Sequence, residues 1–272
     1  MFDEIKEILF YGPSFALSKV VWDWIMGLCT GIITATPQEF SPAAWEYVTE
    51  TLYPWALAIG TACVNLFFII NFLKAVSNFK ENITLELCIE ALIRLVAVNV
   101  LLHAGVLIVR AVFTMASLLA GQVLSFNTPD LFTGEMDHGS KLFWLLFGYG
   151  YFLVSAVCGV IIFLTLYGRY IKLYLLLLFY PIAMSAVAGG RGIESSAYAW
   201  IRTFLSNTLE VVVIALVMSV AGYIIRGVNL PDAGIEGTWD GFAEAMKSLL
   251  YMILMASSVK GASALMNKAF NL

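Results

Sequence analysis

Residues 142–167 read LFWLLFGYGYFLVSAVCGVIIFLTLY, a run of twenty-six residues without a single charge. As a helix, this run extends over about 39 Å, which exceeds the roughly 30 Å thickness of a bilayer's hydrocarbon core. The whole chain agrees with it, because 61% of its 272 residues are hydrophobic and only 12% are charged. Soluble domains are about 25% charged. The sequence therefore predicts an all-α, polytopic integral membrane protein.

In addition to this run, four further apolar stretches are long enough to cross a membrane. The five predicted spans are 52–73, 91–112, 142–167, 203–225 and 242–259. The second lies inside a helical stretch over 82–126, in which Gly105 and Gly121 are the predicted weak points. Between the third and fourth spans, LYLLLLFYPIAMSAVAGG (173–190) carries Pro181 at its midpoint. We predict that this segment enters the membrane from the cytosol and turns back as a re-entrant hairpin.

The N-terminal region is less regular. Residues 14–35, SFALSKVVWDWIMGLCTGIITA, are apolar but interrupted by Lys19 and Asp23. This pattern favours a helix that lies in the outer interface or packs on a partner, and a sixth span is the alternative. The sequence thus divides into an extracytoplasmic or interfacial region over 1–50 and a transmembrane helical domain over 51–272.

The basic residues indicate how the spans are oriented, since Lys and Arg concentrate in cytoplasmic segments. We predict an outside N-terminus and a cytoplasmic C-terminus. Nine of the fifteen basic residues then lie on the cytoplasmic side: Lys74, Lys80, Arg94, Arg169, Lys172, Arg191, Arg202, Lys260 and Lys268. Six of the seven tryptophans fall at or above the outer interface, where the indole ring is favoured.

Motifs that would indicate catalysis are lacking. The sequence has no nucleophile elbow, P-loop, HExxH motif or dinucleotide fingerprint, and its four cysteines are scattered singly. We therefore expect no enzyme activity, no cofactor and no metal site. The net charge of −4 also excludes a general basic surface for nucleic acid.

Polar side chains inside the predicted spans are candidate functional residues, because burying them in hydrocarbon is costly. They are Asn65, Asn99, His103 and Glu210. Glu210 either pairs with Arg169 or Arg202 or lines a water-filled conduit. For His103 a hydrogen bond between helices is favoured over a proton relay, because its own helical face carries no carboxylate within two turns.

Small-residue spacings such as Ala58-xxx-Ala62 permit close helix approach. They fit packing within one chain and contact between copies equally well.

One segment is more specific. Arg169 closes the long span, the leucine-rich stretch that follows ends in Pro181-Ile-Ala, and a loop of small residues precedes Trp200. Together these features resemble the TrbL/VirB-type polytopic inner-membrane channel subunit of type IV secretion systems, in the compact form of Gram-positive conjugative elements. The resemblance covers about 50–225.

That resemblance implies several copies ringed in the bacterial cytoplasmic membrane, working with the system's ATPases and other membrane subunits. The assembly would move single-stranded DNA with its relaxase, or protein, with transient contact to that substrate. It also implies that Arg169, Pro181 and Trp200 shape a central hairpin. The candidate gate consists of these three residues together with Lys172, Gly189, Gly190 and Arg191. The alternatives are a partner-independent transporter of small solutes or ions, and a purely structural envelope scaffold.

Overall fold

The computed structural model describes residues 13–78, 85–124, 138–190, 192–227 and 240–270. These residues are helical almost throughout and include no strand. The helices are α1 (Pro13–Thr34), α2 (Pro37–Phe40), α3 (Pro42–Glu46), α4 (Tyr53–Asn78), α5 (Leu85–His103), α6 (Gly105–Leu124), α7 (His138–Ser185), α8 (Ser195–Gly227) and α9 (Asp240–Ala269). A π-helical turn, Tyr47–Leu52, leads into α4, and a 3-10 turn, Ala186–Gly189, follows α7.

Five helical segments within these residues are long and apolar enough to cross a membrane. They are Pro42–Lys74, Gly105–Leu124, Gly148–Gly189, Ser195–Ile225 and Met246–Ala269. An all-α, multi-pass architecture follows, as the composition predicts. The helix α1 contributes only a shorter apolar stretch, Val20–Thr34, and is not one of the five.

Two helix boundaries differ from the predicted limits of the spans. The third span does not end at Gly168-Arg169, because α7 continues without a break to Ser185 and contains both 142–167 and most of 173–190. The second span, 91–112, is interrupted instead, since α5 ends at His103 and α6 begins at Gly105. The predicted weak point at Gly105 is therefore confirmed as a helix boundary, whereas Gly121 lies inside α6.

The helices form two compact units, each drawn from several parts of the chain. The first comprises the described parts of Met1–Thr34, Ser117–Gly168 and Glu210–Leu265. In it, α1 buries Ile25, Cys29 and Ile33, and a Cβ built at Gly159 would lie 2.8 Å from Ile25 Cδ1. A hydrogen bond of 2.6 Å joins the Tyr151 and Ser248 hydroxyls. This unit thus packs α1 tightly against α7, while the predicted interfacial position of α1 remains a prediction.

The second unit comprises Ala35–Ala116, Arg169–Leu209 and the described part of Met266–Leu272. Its apolar core is built from residues of α4, α5, α6, α7 and α8. Its almost completely buried members include Val64, Val98, Leu102, Val109, Leu173 and Leu177. All the residues that carry the family resemblance and are described lie in this unit. The predicted division at residue 50 concerns position relative to the membrane and remains a prediction.

Candidate functional site

The candidate site is a helical hairpin over 169–209, formed by the end of α7, the 3-10 turn and the start of α8. The chain reverses only after the 3-10 turn, where Gly190 and Gly192 have φ angles of 69° and 101°. Such angles are readily adopted only by glycine. Pro181 does not reverse the chain, because it lies within α7. Segment 173–190 therefore forms one continuous arm of the hairpin and does not reverse at Pro181, while its predicted re-entrant position in the membrane remains a prediction.

This arm runs alongside α4 and the segment before it, in the same direction. Near the start of the arm, the Tyr170 and Tyr174 hydroxyls donate to the carbonyls of Ala35 and Pro37, at 2.7 and 2.6 Å. Further along, a Cβ at Gly60 would lie 2.8 Å from the Cβ, carbonyl carbon and carbonyl oxygen of Pro181.

At the end of the arm, a Cβ at Gly190 would lie 2.6 Å from Asn71 Oδ1. Residues 170 to 190 therefore pass from the level of residue 35 to the level of residue 71. A segment that reversed its direction at Pro181 would not do this.

Two tyrosines clamp the junction between α5 and α6. Tyr53 of α4 donates to the Leu102 carbonyl at 3.0 Å, and Tyr180 of α7 donates to the Leu101 carbonyl at 2.9 Å. These two carbonyls are the i−4 acceptors for the first two residues of α6. The two tyrosine hydroxyls thus donate hydrogen bonds to backbone carbonyls at the place where the helix is interrupted. In a membrane interior, where no water is available, such partners are needed.

Gly105, the first residue of α6, makes this clamp possible. A Cβ at this position would clash with Cε1 of Tyr180 and would lie 2.5 Å from the Tyr53 hydroxyl oxygen. The absence of a side chain therefore lets both rings reach the carbonyls. The sequence analysis identified the glycine but missed the two tyrosines, whose partners lie 49 and 79 positions away along the chain.

Arg169 is almost completely buried, with 4% of its surface exposed. Its Nε and Nη2 donate to the carbonyls of Asn207 and Thr208, both at 3.3 Å. The guanidinium thus forks across two consecutive carbonyls of α8 and ties the two arms of the hairpin together at the end far from the turn. Arginine suits this position because its donors are planar and remain charged.

Trp200 joins the arms nearer the turn. Its ring meets Tyr180 edge-on with centroids 5.3 Å apart, and it stacks on Phe204 at 4.9 Å. Phe204 in turn contacts Phe113 of α6 at 5.6 Å. Edge-on and stacked pairs at these separations are the favoured aromatic arrangements. Arg169 and Trp200 therefore join the two arms of the hairpin, whereas Pro181 packs on Gly60 of α4.

No protein-family model, no curated protein and no solved structure matches this chain.

The predicted intramembrane polar residues fall into different environments. Glu210 of α8 is 2% exposed, within the first unit, and its pairing with Arg169 or Arg202 remains a prediction. His103 is exposed, and its Nδ1 lies 2.8 Å from the Asn99 carbonyl oxygen of its own helix, while the predicted bond between helices remains a prediction. A hydrogen bond to the residue four positions earlier satisfies the ring locally. Asn99 does the same, donating to the Leu95 carbonyl at 3.0 Å.

The remaining candidates are placed as follows. Lys172 and Asn65 are exposed, Gly189 and Gly190 are buried at the turn, and Arg191 lies outside the described residues. A Cβ at Gly189 would lie 2.8 Å from Ile193, so the turn is closed by tight packing. No cluster of three or more metal-ligating side chains occurs among the described residues.

A further feature escaped the sequence analysis, although its signal is visible as TPQE at 36–39. Thr36 and Glu39 form a capping box that begins α2: the Thr36 N–H donates to Glu39 Oε2 at 2.9 Å, and the Glu39 N–H donates to the Thr36 hydroxyl at 3.4 Å. Phe40 then stacks on Tyr170, with centroids 3.9 Å apart. We call residues 35–41 the latch, because they fasten to α7.

Hydrogen bonds to the carboxylate also affect its titration. The backbone N–H and the hydroxyl of Thr36 both donate to Glu39, and these bonds hold the pKa of the Glu39 carboxyl below its ordinary value.

The site is therefore a rigid helical hairpin. It is held by the latch at one end, by Pro181 on Gly60 in the middle and by Gly190 on Asn71 at the turn.

Proposed function

We propose that this chain is a scaffold and channel subunit of a type IV secretion machine in the bacterial cytoplasmic membrane. It would act as an oligomer beside the system's ATPases and other membrane subunits and help to move a DNA–relaxase complex or a protein. One observation supports this above all. Arg169, Pro181 and Trp200, which carry the resemblance, each make a specific contact: Arg169 and Trp200 join the two arms of the hairpin, and Pro181 packs on Gly60 of α4.

The packing favours a positioning role for the hairpin over a swinging gate. Side chains at Gly60, Gly105, Gly189 or Gly190 would collide with neighbouring atoms at 2.8 Å or less. Interiors this close-packed resist continuous deformation. We therefore propose that the hairpin is a fixed support, and that any conduit forms where copies or other subunits meet.

For the orientation, we propose that the N-terminus lies outside and the C-terminus lies in the cytoplasm. Five crossings put the two termini on opposite sides, and five helices in the described part of the chain are long and apolar enough to cross. Lys74 lies three residues beyond Asn71, which contacts Gly190, so a basic residue accompanies the hairpin turn. Because basic residues favour the cytoplasmic side, the turn is assigned to the cytosol.

The test is conjugative transfer from a donor cell that lacks the reading frame. We expect transfer to fall at least 100-fold and to return with the parental gene. A Gly60→Leu gene should fail to restore transfer while its product still enters the membrane, because the new side chain occupies the place of Pro181. Gly31→Leu is the matched control, since a Cβ at Gly31 meets nothing within 4 Å. Parental transfer from the deletion strain would refute the proposal.

A second candidate, a transporter of small solutes or ions, is favoured by one observation. Glu210 is a carboxyl group 2% exposed in the middle of a candidate span, and such groups often belong to ion or proton pathways. This function predicts uptake of a solute or proton flux by the purified chain in liposomes, lost in Glu210→Gln. The secretion function predicts no such flux without partners.

A further inference from the structure

The helix α4 presents a face that the residues described by the structure leave exposed. Residues Trp55, Ala58, Ala62, Asn65 and Ile69 follow one another at spacings of three and four, and all five are exposed. This is the spacing by which a helix keeps one seam against a partner helix. The neighbouring positions on the same side, Ile59 and Leu66, are 52% and 55% exposed.

Asn65 marks this face as more than a lipid contact. Its side chain is exposed, and its amide makes no hydrogen bond to any residue that the structure describes. By contrast, the amides of Asn99 and Asn207 donate to carbonyls four residues earlier in their own helices. Lipid chains offer neither donors nor acceptors, so an open amide at membrane depth is unfavourable.

The depth of Asn65 can be judged from Trp55. Tryptophan favours the membrane interface, and Trp55 is 74% exposed near the start of α4. Ten residues separate Trp55 from Asn65, which corresponds to about 15 Å along a helix. This places Asn65 near the middle of a hydrocarbon core of about 30 Å.

We propose that the face Trp55, Ala58, Ala62, Asn65 and Ile69 binds the same face of a second copy of this chain. Copies in one membrane share one orientation, so a two-fold axis along the membrane normal brings Asn65 opposite Asn65 at equal depth. An amide is its own complement, because it carries both a donor and an acceptor. Ala58 and Ala62, one turn apart on this seam, let the two helix backbones approach closely.

The inference deepens the proposed function by naming where two copies meet. The test of this interface does not use a transfer assay, so the interface and the proposed secretion function can each be refuted without the other. Donor-labelled and acceptor-labelled chains are reconstituted in vesicles of phosphatidylcholine and phosphatidylglycerol, and energy transfer is measured as the chain is diluted in lipid. We expect Asn65→Leu to raise the dissociation constant about 3- to 20-fold, the range for an interhelical hydrogen bond. Asn99→Leu is the matched control and should leave the constant unchanged, because that amide is satisfied within α5.

Disulfide formation locates the contact. With the four native cysteines replaced by alanine, Ala62→Cys should form a dimer on mild oxidation, whereas Leu107→Cys, 73% exposed on α6, should not. A monomeric parent in vesicles, equal association of parent and Asn65→Leu, or no Ala62→Cys dimer would each overturn the proposal. The first result, combined with loss of Asn65→Leu from native membrane complexes, would assign the face to a different protein.

Discussion

The ring of Tyr180 occupies the space that a side chain at position 105 would need, and its hydroxyl donates to the Leu101 carbonyl at 2.9 Å. A single tyrosine thus contacts the α5–α6 junction at two points. Tyr180 directly precedes Pro181, which packs on Gly60 of α4. The interruption of one membrane helix and the proline of another are therefore parts of one packing arrangement. A substitution at the α5–α6 junction is therefore expected to alter the packing of the hairpin.

The first prediction concerns the missing side chain at position 105. Gly105→Ala should lower the free energy of unfolding by about 1–3 kcal/mol, the usual cost of overpacking, because the methyl group displaces Tyr180 or Tyr53. Unfolding in detergent micelles measures this. Gly121→Ala in the same helix is the control: its Cβ would lie 3.9 Å from Thr34 Cγ2, an ordinary contact, so stability should hold or rise. Equal effects of the two variants would contradict the clamp.

The second prediction separates the two hydroxyl groups of the clamp. Tyr53→Phe and Tyr180→Phe should each cost about 1 kcal/mol of unfolding free energy, because each leaves a carbonyl at the helix junction without its donor. Tyr149→Phe, at an exposed position of α7, should cost almost nothing. The double variant should depart from additivity, since both rings lie against Gly105. Strict additivity would mean that the hydroxyls act independently.

A third prediction follows from the forked contact of Arg169. Arg169→Lys should lower the free energy of unfolding by about 1–3 kcal/mol. A lysine keeps the charge, but one ammonium group does not reproduce two donors in the plane that reaches the carbonyls of Asn207 and Thr208. Lys172→Gln, three residues along on the exposed side of α7, should change stability by less than about 0.5 kcal/mol. An unchanged free energy of unfolding in Arg169→Lys would show that the guanidinium does not join the hairpin arms.

The fourth prediction is a pH dependence in the latch. The pKa of the Glu39 carboxyl is below its ordinary value in the folded protein, so its contribution to stability is complete above that ordinary value. The contribution is then lost as the pH falls through the lowered pKa. The protection of the Phe40 and Ser41 amides, measured as their hydrogen-exchange rates relative to those of an unstructured peptide at the same pH, should decrease in that acidic range in the parent. Glu39→Gln, which has no carboxyl group to protonate, should remove this pH-dependent loss of protection, and its persistence in the variant would contradict the assignment.

Much of the fold was predictable from the sequence, because the hydrocarbon core imposes simple requirements on length and polarity. The helical class, the number of candidate spans and a weak point at Gly105 were all predicted from runs of apolar residues and a glycine, although a helix boundary there was not. The end predicted at Gly168-Arg169 failed for a physical reason. A glycine costs a helix only about 1 kcal/mol, and the partners of Arg169 lie 38 and 39 residues further along the chain.

The direction of the 173–190 segment could not be predicted from the sequence either. Pro181 suggested a reversal, but a proline within a long helix is tolerated where neighbouring helices support it, and here Gly60 of α4 receives it. The pairing of Tyr170 and Tyr174 with the latch, which fixes the direction, involves separations of 135 and 137 residues. The spacing of apolar residues within one helix gives no information about contacts between residues this far apart along the chain.

The sidedness of the hairpin turn is the most direct test of the membrane arrangement. A lone cysteine at Ser196, exposed at the start of α8, is treated with a membrane-impermeant maleimide in a variant without native cysteines. A cysteine at Tyr47, 57% exposed before α4, reports the opposite side. Five full crossings with an outside N-terminus predict labelling at Tyr47→Cys in intact cells and at Ser196→Cys only after the cells are opened. Labelling of Ser196→Cys in intact cells would place the turn outside and contradict the arrangement.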